Sequence, residues 1–339
     1  MNATTMVSEP LPSPTALPIH IPGLDHTFGA YLLGTFISTA LFGVTCLQTF
    51  MYYTSYPADK VGLKLMVGVL LVLETLHSIF NIHGCYHYFV INYFHPPALL
   101  LVVWSAIASV PVTVIIIFVV RTFYVHRLYI VSKKNWKLTI FMMVLVVAAT
   151  GTGITYTVIG YQSHYLKDLV YAPLFYAKVA FTLAVTTDTL TAVLLTYYLH
   201  KGRTGRRRSD TLINRLIILT VNNGTLTTVL NVVSLVFVFS QPAGLVHFAT
   251  YMVVGNTYTN SMLATLNARN MLRDEQVRLQ ELSNMQIRFQ SDQSSSRPSG
   301  TTTTFLPTSD VENVAFGSAP PKTVPGPLWQ PPTQAYMSD

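Results

Sequence analysis

Apolar residues in this chain are concentrated in seven stretches, which shorter polar segments separate. Each stretch holds about the 20 apolar residues that an α-helix needs to cross the hydrocarbon core of a bilayer. This pattern predicts an all-α integral membrane protein, a seven-transmembrane-helix bundle over residues 27–266. The seven predicted spans are residues 27–52, 62–83, 97–120, 138–161, 173–199, 212–239 and 244–266.

The composition agrees with a membrane location. The 339 residues are 50% hydrophobic and 10% charged, whereas a soluble domain is about 25% charged. A formal net charge of +7 could indicate nucleic-acid binding, but the basic residues lie in short clusters between apolar stretches, where they orient spans and contact lipid headgroups. We therefore expect the lipid bilayer as a partner, and no nucleic acid.

The distribution of Lys and Arg predicts the orientation of the bundle. Basic residues are numerous in the connections between helices one and two, three and four, and five and six, while the other side carries only Lys167 and Lys178. Since the side rich in Lys and Arg faces the cytoplasm, we expect the N-terminus outside and the C-terminus in the cytoplasm of a plasma-membrane protein. The residues expected in cytoplasmic basic loops, where a signalling partner would bind, are Arg121, Arg127, Lys201, Arg203, Arg206, Arg207 and Arg208.

The two ends of the chain are predicted to be extramembrane. Residues 1–26 form a Pro-rich extracellular tail in which Asn2 is a glycosylation candidate. Residues 267–290 show the spacing of an amphipathic juxtamembrane helix. Residues 291–339, rich in Ser, Thr and Pro, are predicted to be a disordered cytoplasmic tail. Cys46 and Cys85 are expected on opposite sides of the membrane, too far apart for a disulfide.

Two acidic residues lie inside predicted spans, Glu74 in helix two and Asp188 in helix five. An ionisable group is costly to bury in hydrocarbon unless it is paired or neutral, so each is a candidate functional residue. Both lie about twelve residues from the inner ends of their helices and hence at a similar depth, where they could share a proton or hold a cation. Glu74, His77 and Asn81 share one helical face. The alternative interpretation is that these polar groups only join helices to one another.

Helices six and seven each carry a polar stripe. Asn223, Thr227 and Asn231 follow one another at steps of one turn in helix six, and Asn256 and Asn260 do so in helix seven. Such stripes favour interhelical hydrogen bonding, and a solvated cavity is the alternative.

Three histidines, His83, His87 and His95, lie at and beyond the outer end of helix two. Two histidines four residues apart can bind a metal only with a further ligand. We interpret them as surface residues and expect neither a metal nor a cofactor.

Several separate motifs carry a resemblance to a known family. They are residues 23–29 (GLDHTFG), 33–38 (LGTFIS), 75–77 (TLH), 121–127 (RTFYVHR) and 260–269 (NSMLATLNAR), joined by residues 203–205, 209–210 and 222–224. On these motifs the chain resembles a large fungal seven-helix family, found mainly in basidiomycetes, whose C-terminal half is domain of unknown function 6534, here about residues 178–270. The resemblance implies the seven-helix fold and a fungal source, but it implies no activity.

Three classes of function fit this sequence. A receptor-like sensor of an unknown small ligand is the first, because seven spans, basic inner loops and a Ser/Thr-rich tail suit it, although a fold does not determine a function. A transporter or channel that moves protons or cations along Glu74, His77 and Asp188 is the second. A membrane-embedded enzyme is the least expected, since predicted helices six and seven contain no Asp, and we therefore expect a protein that is not an enzyme.

Overall fold

A computed structural model shows seven long α-helices in the part of the chain that it describes, residues 28–93, 101–163, 174–203, 207–241 and 244–295. A π-helical turn, His87–Ile91, extends the second helix. The α-helices are α1 Phe28–Ser55, α2 Val61–Tyr86, α3 Trp104–Val131, α4 Trp136–Gln162, α5 Leu174–Lys201, α6 Arg207–Ser240 and α7 Val246–Ser295. Within these ranges there is no β-strand, so the predicted all-helical class is confirmed.

Helices α1 to α6 are long and apolar enough to cross a membrane. Large apolar side chains such as Phe36, Phe50 and Phe239 are about 60% exposed on their outer faces, while Thr, Ser and Asn side chains fill much of the interior. A large apolar surface around a polar interior suits a lipid solvent, because every helix satisfies its own backbone hydrogen bonds there. The architecture is that of a membrane protein.

Helix α7 differs from the other six in carrying many Asn and Thr residues among the apolar ones along its first six turns. It runs parallel to α1, since Ser38 bonds Asn256 near one end of the pair and the carbonyl of Gln48 bonds Asn267 near the other. Most of its side chains between residues 245 and 266 are buried. Because other helices of the bundle surround α7, its Asn and Thr side chains find hydrogen-bond partners there. Burying these polar side chains therefore costs little free energy.

A close contact brings α1 and α7 together at Gly34, within the sequence motif of residues 33–38. A Cβ atom at this position would lie 2.9 Å from the Cα and carbonyl oxygen of Ala249. The absent side chain therefore permits the two backbones to touch.

Two helices differ in extent from the predicted spans. The third span was predicted at residues 97–120; residues 97–100 lie outside the described residues, and α3 begins at Trp104 and continues to Val131. The last span was predicted to end at 266, but α7 continues to Ser295 without a break, and Pro298 is the first helix breaker beyond it. Residues 267–290 are thus part of α7 rather than a separate helix, and 291–295 are helical rather than disordered.

The chain divides into two compact units, Met1–Gln286 and Ile287–Asp339. The first contains the bundle. Of the second, the structure describes only residues 287–295, which are the last turns of α7. The predicted extracellular tail of residues 1–26, Asn2 included, and residues 296–339 of the predicted cytoplasmic tail lie outside the described residues.

Candidate functional site

A buried ion pair between Arg121 of α3 and Asp188 of α5 lies inside the bundle. The Nε and Nη2 atoms of Arg121 donate to the two carboxylate oxygens of Asp188 at 3.1 and 3.3 Å, and both residues are only 7% exposed. Two parallel hydrogen bonds between a guanidinium and a carboxylate fix both groups in one orientation. The pair therefore holds α3 and α5 in a defined relative position.

Two further side chains complete this cluster. The Tyr258 hydroxyl of α7 accepts from Arg121 Nη2 at 2.7 Å and donates to Asp188. The Asn231 amide of α6 donates to Asp188 at 2.9 Å and to the Tyr258 hydroxyl at 3.1 Å. We call Arg121, Asp188, Asn231 and Tyr258 the Arg121 network. It joins α3, α5, α6 and α7 through one buried charge pair.

Arg121 was predicted to lie in a cytoplasmic loop, and this was wrong, because it lies within α3. A guanidinium is tolerated inside a membrane bundle when a carboxylate pairs with it, and Asp188 provides that partner 67 residues further along the chain. Asp188 in turn binds Arg121 rather than sharing a proton with Glu74. A signal was available, since an Asp within an apolar helix requires a counter-charge. Tyr258 carried no signal that we recognised.

A narrow cavity of about 70 Å³ lies on one side of the network. Its walls are mostly apolar and include Val114, Phe181 and Tyr251. Polar groups of the lining come from Arg121, Asn231, Thr150 and His247. A volume of this size has room for a few water molecules or part of a slender ligand. The lining residues of α5 and α7 come from the first turns of these helices, so the cavity lies between the network and the end of the bundle that contains Phe28, here called the Phe28 end.

A second, smaller cavity of about 30 Å³ lies on the other side of Arg121. Asp188, Tyr258 and Asn223 line it together with Arg121. Arg121 therefore lines both cavities and separates them, and the second one lies toward the opposite end of the bundle, here called the Ser55 end.

Residues 184–271 match a family of unknown function, DUF6534. The DUF6534 segment covers about a quarter of the chain and lies close to the predicted range of 178–270. It includes Asp188, Asn231 and Tyr258, whereas Arg121 lies outside it. No curated protein and no solved structure matches the chain.

A second buried polar cluster surrounds Glu74 on α2. Glu74, His77 and Asn81 lie on one face of α2, and each is 0% exposed. The Thr259 hydroxyl of α7 donates to Glu74 Oε1 at 2.6 Å, and the amide nitrogen of Asn81 lies 3.1 Å from His77 Nε2. His77 Nδ1 is 4.0 Å from Glu74 Oε2, which is too far for a direct hydrogen bond.

The two intramembrane acids lie at a similar depth but in separate clusters. Glu74 contacts Thr259, and Asp188 contacts Tyr258, the residue immediately before it in α7. Consecutive residues of a helix project about 100° apart. Each carboxylate therefore meets its own set of partners on α7.

The polar residues of α6 bond mainly across to α7. The Asn223 amide donates to the Ser261 carbonyl at 2.9 Å and to the Thr265 hydroxyl at 3.1 Å, and Asn231 belongs to the Arg121 network. Thr227 instead donates to carbonyls of its own helix.

The polar residues of α7 bond to α1 in the same way. The Asn256 amide donates to the Ser38 hydroxyl at 2.6 Å. The Asn260 amide donates to the Leu41 carbonyl at 3.0 Å, and its side-chain oxygen accepts from Thr45 at 2.9 Å. Polar side chains thus bind α7 to its neighbours on both sides.

At the Ser55 end, Arg269 of α7 binds the connection between α1 and α2. Its Nη2 atom lies 2.5 Å from Asp59 Oδ2, and its guanidinium stacks over the Tyr56 ring at 4.4 Å. The hydrogen bond from Arg269 lowers the pKa of the Asp59 carboxyl below its usual value. This contact fixes α7 to α1 and α2 about two and a half turns beyond Asn260.

Several of the remaining basic candidates, which were predicted to lie in cytoplasmic loops, lie within helices instead. Arg127 lies within α3 rather than in a loop, whereas Lys201 and Arg203 are exposed at and just beyond the end of α5. Arg203 donates to Asn214 of α6. Arg206 lies outside the described residues, and Arg207 and Arg208 lie in the first turn of α6, where the structure does not describe side chains.

Two of the three clustered histidines have partners of their own. His83 Nδ1 lies 2.9 Å from the Ser105 hydroxyl, and His87 Nε2 lies 3.1 Å from the Asn92 amide nitrogen. His95 lies outside the described residues. In the part of the chain that the structure describes, no three His, Cys, Asp or Glu side chains group as a metal site, and Cys46 and Cys85 are free thiols.

Proposed function

We propose that this chain is a seven-helix membrane sensor, in which a small molecule enters the cavity at the Phe28 end and acts on the Arg121 network. The observation that carries the proposal is the double role of Arg121. Its side chain lines the cavity and also holds Asp188, through which four helices are joined. A ligand that reaches the guanidinium therefore acts on the relative positions of these helices.

The parallel course of α7 and α1 supports seven crossings. The contacts between them extend from the pair Gly34 and Ala249 to the bond between Gln48 and Asn267. At ~1.5 Å per residue, the 249–269 segment covers about 30 Å, the thickness of a bilayer core. Helix α7 thus crosses the same thickness as α1, although it is less apolar.

The positions of Lys and Arg support an orientation with the Ser55 end in the cytoplasm and the Phe28 end outside. The proposed location is the plasma membrane, where a sensor meets external molecules. The motif resemblance supports a fungal source.

The cavity favours a slender ligand of mixed chemistry. Its walls are apolar, so they favour an apolar body. The bonds to Asp188 and Tyr258 use the Nε and Nη2 atoms of Arg121, which leaves Nη1 without a hydrogen bond among the described residues. A guanidinium nitrogen in an apolar cavity favours an anionic or strongly accepting group on the ligand.

Ligand binding at Arg121 changes the balance of the network. A carboxylate on the ligand competes with Asp188 for the guanidinium, so the state in which α5 has moved away from α3 binds the ligand more tightly. A ligand shifts a conformational equilibrium only through such a difference in affinity. Lys201, exposed at the Ser55 end of α5, then changes position relative to a cytoplasmic partner.

Hexanoate is a suitable probe, because it combines a short apolar chain with one carboxylate. We expect hexanoate, but not hexylamine, to raise the unfolding temperature of the purified protein in lipid nanodiscs. An environment-sensitive fluorophore on Lys201→Cys, in a background with Cys46→Ser and Cys85→Ser, should respond to hexanoate. The same fluorophore on Lys60→Cys, in the connection between α1 and α2, is the matched control.

Two variants locate the response. Ala177→Phe fills the cavity at a wall position away from the network, and Arg121→Lys keeps the charge but loses the two-bond geometry. Both should abolish the fluorescence change. A response to hexanoate that survives Ala177→Phe would contradict the proposed binding site.

Transport is a second candidate function, and one observation favours it. Arg121 lines a cavity on each of its sides, so a small anion could pass from one to the other when the network opens. Proteoliposomes containing the protein should then take up radiolabelled hexanoate faster than protein-free liposomes. Binding without uptake supports the sensor, and uptake that Arg121→Lys removes supports the transporter.

A further inference from the structure

The interior next to Glu74 contains an unusual concentration of buried polar atoms without hydrogen-bond partners. On α2 they are Glu74 Oε2, His77 Nδ1, Ser78 Oγ and Asn81 Oδ1, and on α7 there is Asn256 Oδ1. All five residues are at most 5% exposed. Buried polar groups in native proteins are nearly always paired, so several orphaned atoms in one place indicate a bound species between them.

Two of these atoms, on Ser78 and Asn256, belong to one level of the bundle, and Glu74 lies one turn away. The bond between Thr259 and Glu74 fixes the register of α7 against α2. Helix α2 runs antiparallel to α1, as the bonds from Tyr31 to Asn81 and from Tyr53 to Lys64 show, and is therefore antiparallel to α7. Asn256 lies one turn from Thr259 toward the Phe28 end, and Ser78 lies one turn from Glu74 in the same direction. Asn256 and Ser78 are therefore level with each other.

The neighbouring bonds orient the Asn256 amide. Its nitrogen donates to the Ser38 hydroxyl at 2.6 Å and to the Met252 carbonyl at 3.4 Å. With the nitrogen committed to these two acceptors, the side-chain oxygen is left as an acceptor that has no donor. The Thr259 hydroxyl likewise occupies one oxygen of Glu74 and leaves the other without a partner.

In its ionised form, Glu74 carries one negative charge, which a single positive charge would balance. Glu74 is the only acid in α1, α2, α3 and the 246–269 segment of α7. Of the Lys and Arg residues in these helices, Arg121 is committed to Asp188 and Arg269 to Asp59, while Lys64 bonds the Pro57 carbonyl at the Ser55 end. Arg127 lies more than one and a half turns beyond Arg121 toward the Ser55 end of α3. The His77 ring is the nearest basic group, and its Nδ1 atom is 4.0 Å from Glu74 Oε2. A buried carboxylate without a counter-charge is costly in a membrane interior.

We propose that Glu74, Ser78 and Asn256 bind an alkali-metal cation between α2 and α7. Carboxylate, hydroxyl and amide oxygens are hard ligands, which suit hard cations rather than transition metals. One carboxylate balances one positive charge, whereas a divalent ion would leave a net charge in the interior. The site is separate from the Arg121 network, and it stands whether or not the chain is a sensor.

A bound cation joins α2 to α7 and so stabilises the folded bundle. In lipid nanodiscs, the unfolding temperature should be higher in sodium chloride or potassium chloride than in N-methylglucamine chloride of the same ionic strength. The increase should saturate with concentration, because a ligand that binds only the folded state stabilises it according to its occupancy. The comparison of sodium with potassium identifies the cation that the site prefers.

Substitutions separate this site from a general salt effect. Glu74→Gln should abolish the difference between the alkali chlorides and N-methylglucamine chloride, whereas Glu281→Gln, at an exposed acid far along α7, should preserve it. Ser78→Ala removes one ligand with little change in volume, and it should raise the half-saturating cation concentration about tenfold, the effect of ~1.4 kcal/mol in binding free energy.

Two results would overturn the proposal. The first is an unfolding temperature of the unaltered protein that is equal in all three chlorides, which would leave the orphaned atoms to water. The second is a cation dependence that Ser78→Ala leaves unchanged, and this variant decides the question even if Glu74→Gln does not fold.

Discussion

Replacing Asp188 with asparagine leaves the Arg121 guanidinium charged in the bundle interior without its carboxylate. Asparagine keeps one acceptor oxygen and replaces the other with an NH2 donor, so it cannot accept both guanidinium hydrogen bonds, at 3.1 and 3.3 Å, and it has no negative charge to balance Arg121. Breaking one partner of a buried ion pair costs about 3–5 kcal/mol, chiefly because the other charge remains buried and unpaired. We expect Asp188→Asn to lower the free energy of unfolding by this amount.

The double variant tests the reasoning behind that magnitude. If the cost arises from an unpaired buried charge, then adding Arg121→Met to Asp188→Asn removes the charge and restores part of the stability. The double variant should be more stable than Asp188→Asn alone, with an interaction energy of about 1–3 kcal/mol. Free energies of unfolding measured by SDS titration in mixed micelles complete the cycle.

A matched substitution in a more exposed ion pair provides the control. Asp59 pairs with Arg269 at the Ser55 end, where the two side chains are 21% and 38% exposed. Pairs accessible to solvent contribute about 1 kcal/mol or less, so Asp59→Asn should cost far less than Asp188→Asn. Equal costs at the two sites, or additive effects in the double-mutant cycle, would refute the assignment of the Arg121 network as a buried charge pair.

Two further predictions concern the contacts of α7 with α1 and with the connection between α1 and α2. Gly34→Val should destabilise the bundle by about 1–3 kcal/mol, because a Cβ atom at this position meets the Ala249 backbone at 2.9 Å. Gly43→Val is the control in the same SDS titration, and it should be nearly neutral because a Cβ atom there meets nothing within 4 Å. The lowered pKa of Asp59 adds stability that is fully present above the usual pKa of 3.8 and is lost as the pH falls through the lower, folded-state pKa. The fall in unfolding temperature over that acidic range should be smaller in Asp59→Asn, and an identical fall would contradict the contribution of this residue.

The sequence was sufficient to locate the helices, because their signal is local. A run of about 20 apolar residues identifies a spanning helix without knowledge of any other part of the chain. Five of the seven predicted ranges agree with α1, α2, α4, α5 and α6 to within a few residues. Helix α7 was also located, although its Asn and Thr residues make it less apolar than the other six.

The interactions among helices were harder to predict, because they depend on rotation about each helix axis. Arg121 was assigned to a loop since rules based on charge counting read Lys and Arg as the ends of spans. Those rules consider only neighbouring residues, whereas the partner Asp188 lies on another helix. Glu74, His77 and Asn81 were found on one face because helical periodicity is itself local, but the contact of Glu74 with Thr259 required the packing of α7.

The positions of the two acids give α7 a particular mechanical importance. Asp188 is bound by Tyr258 and Glu74 by Thr259, and these α7 residues are consecutive. Since a helix moves as a rigid element over one turn, a rotation of α7 that lengthens either hydrogen bond also displaces the other. The ion pair of α3 with α5 and the polar cluster of α2 therefore share a single turn of α7, even though the two carboxylates have separate partners.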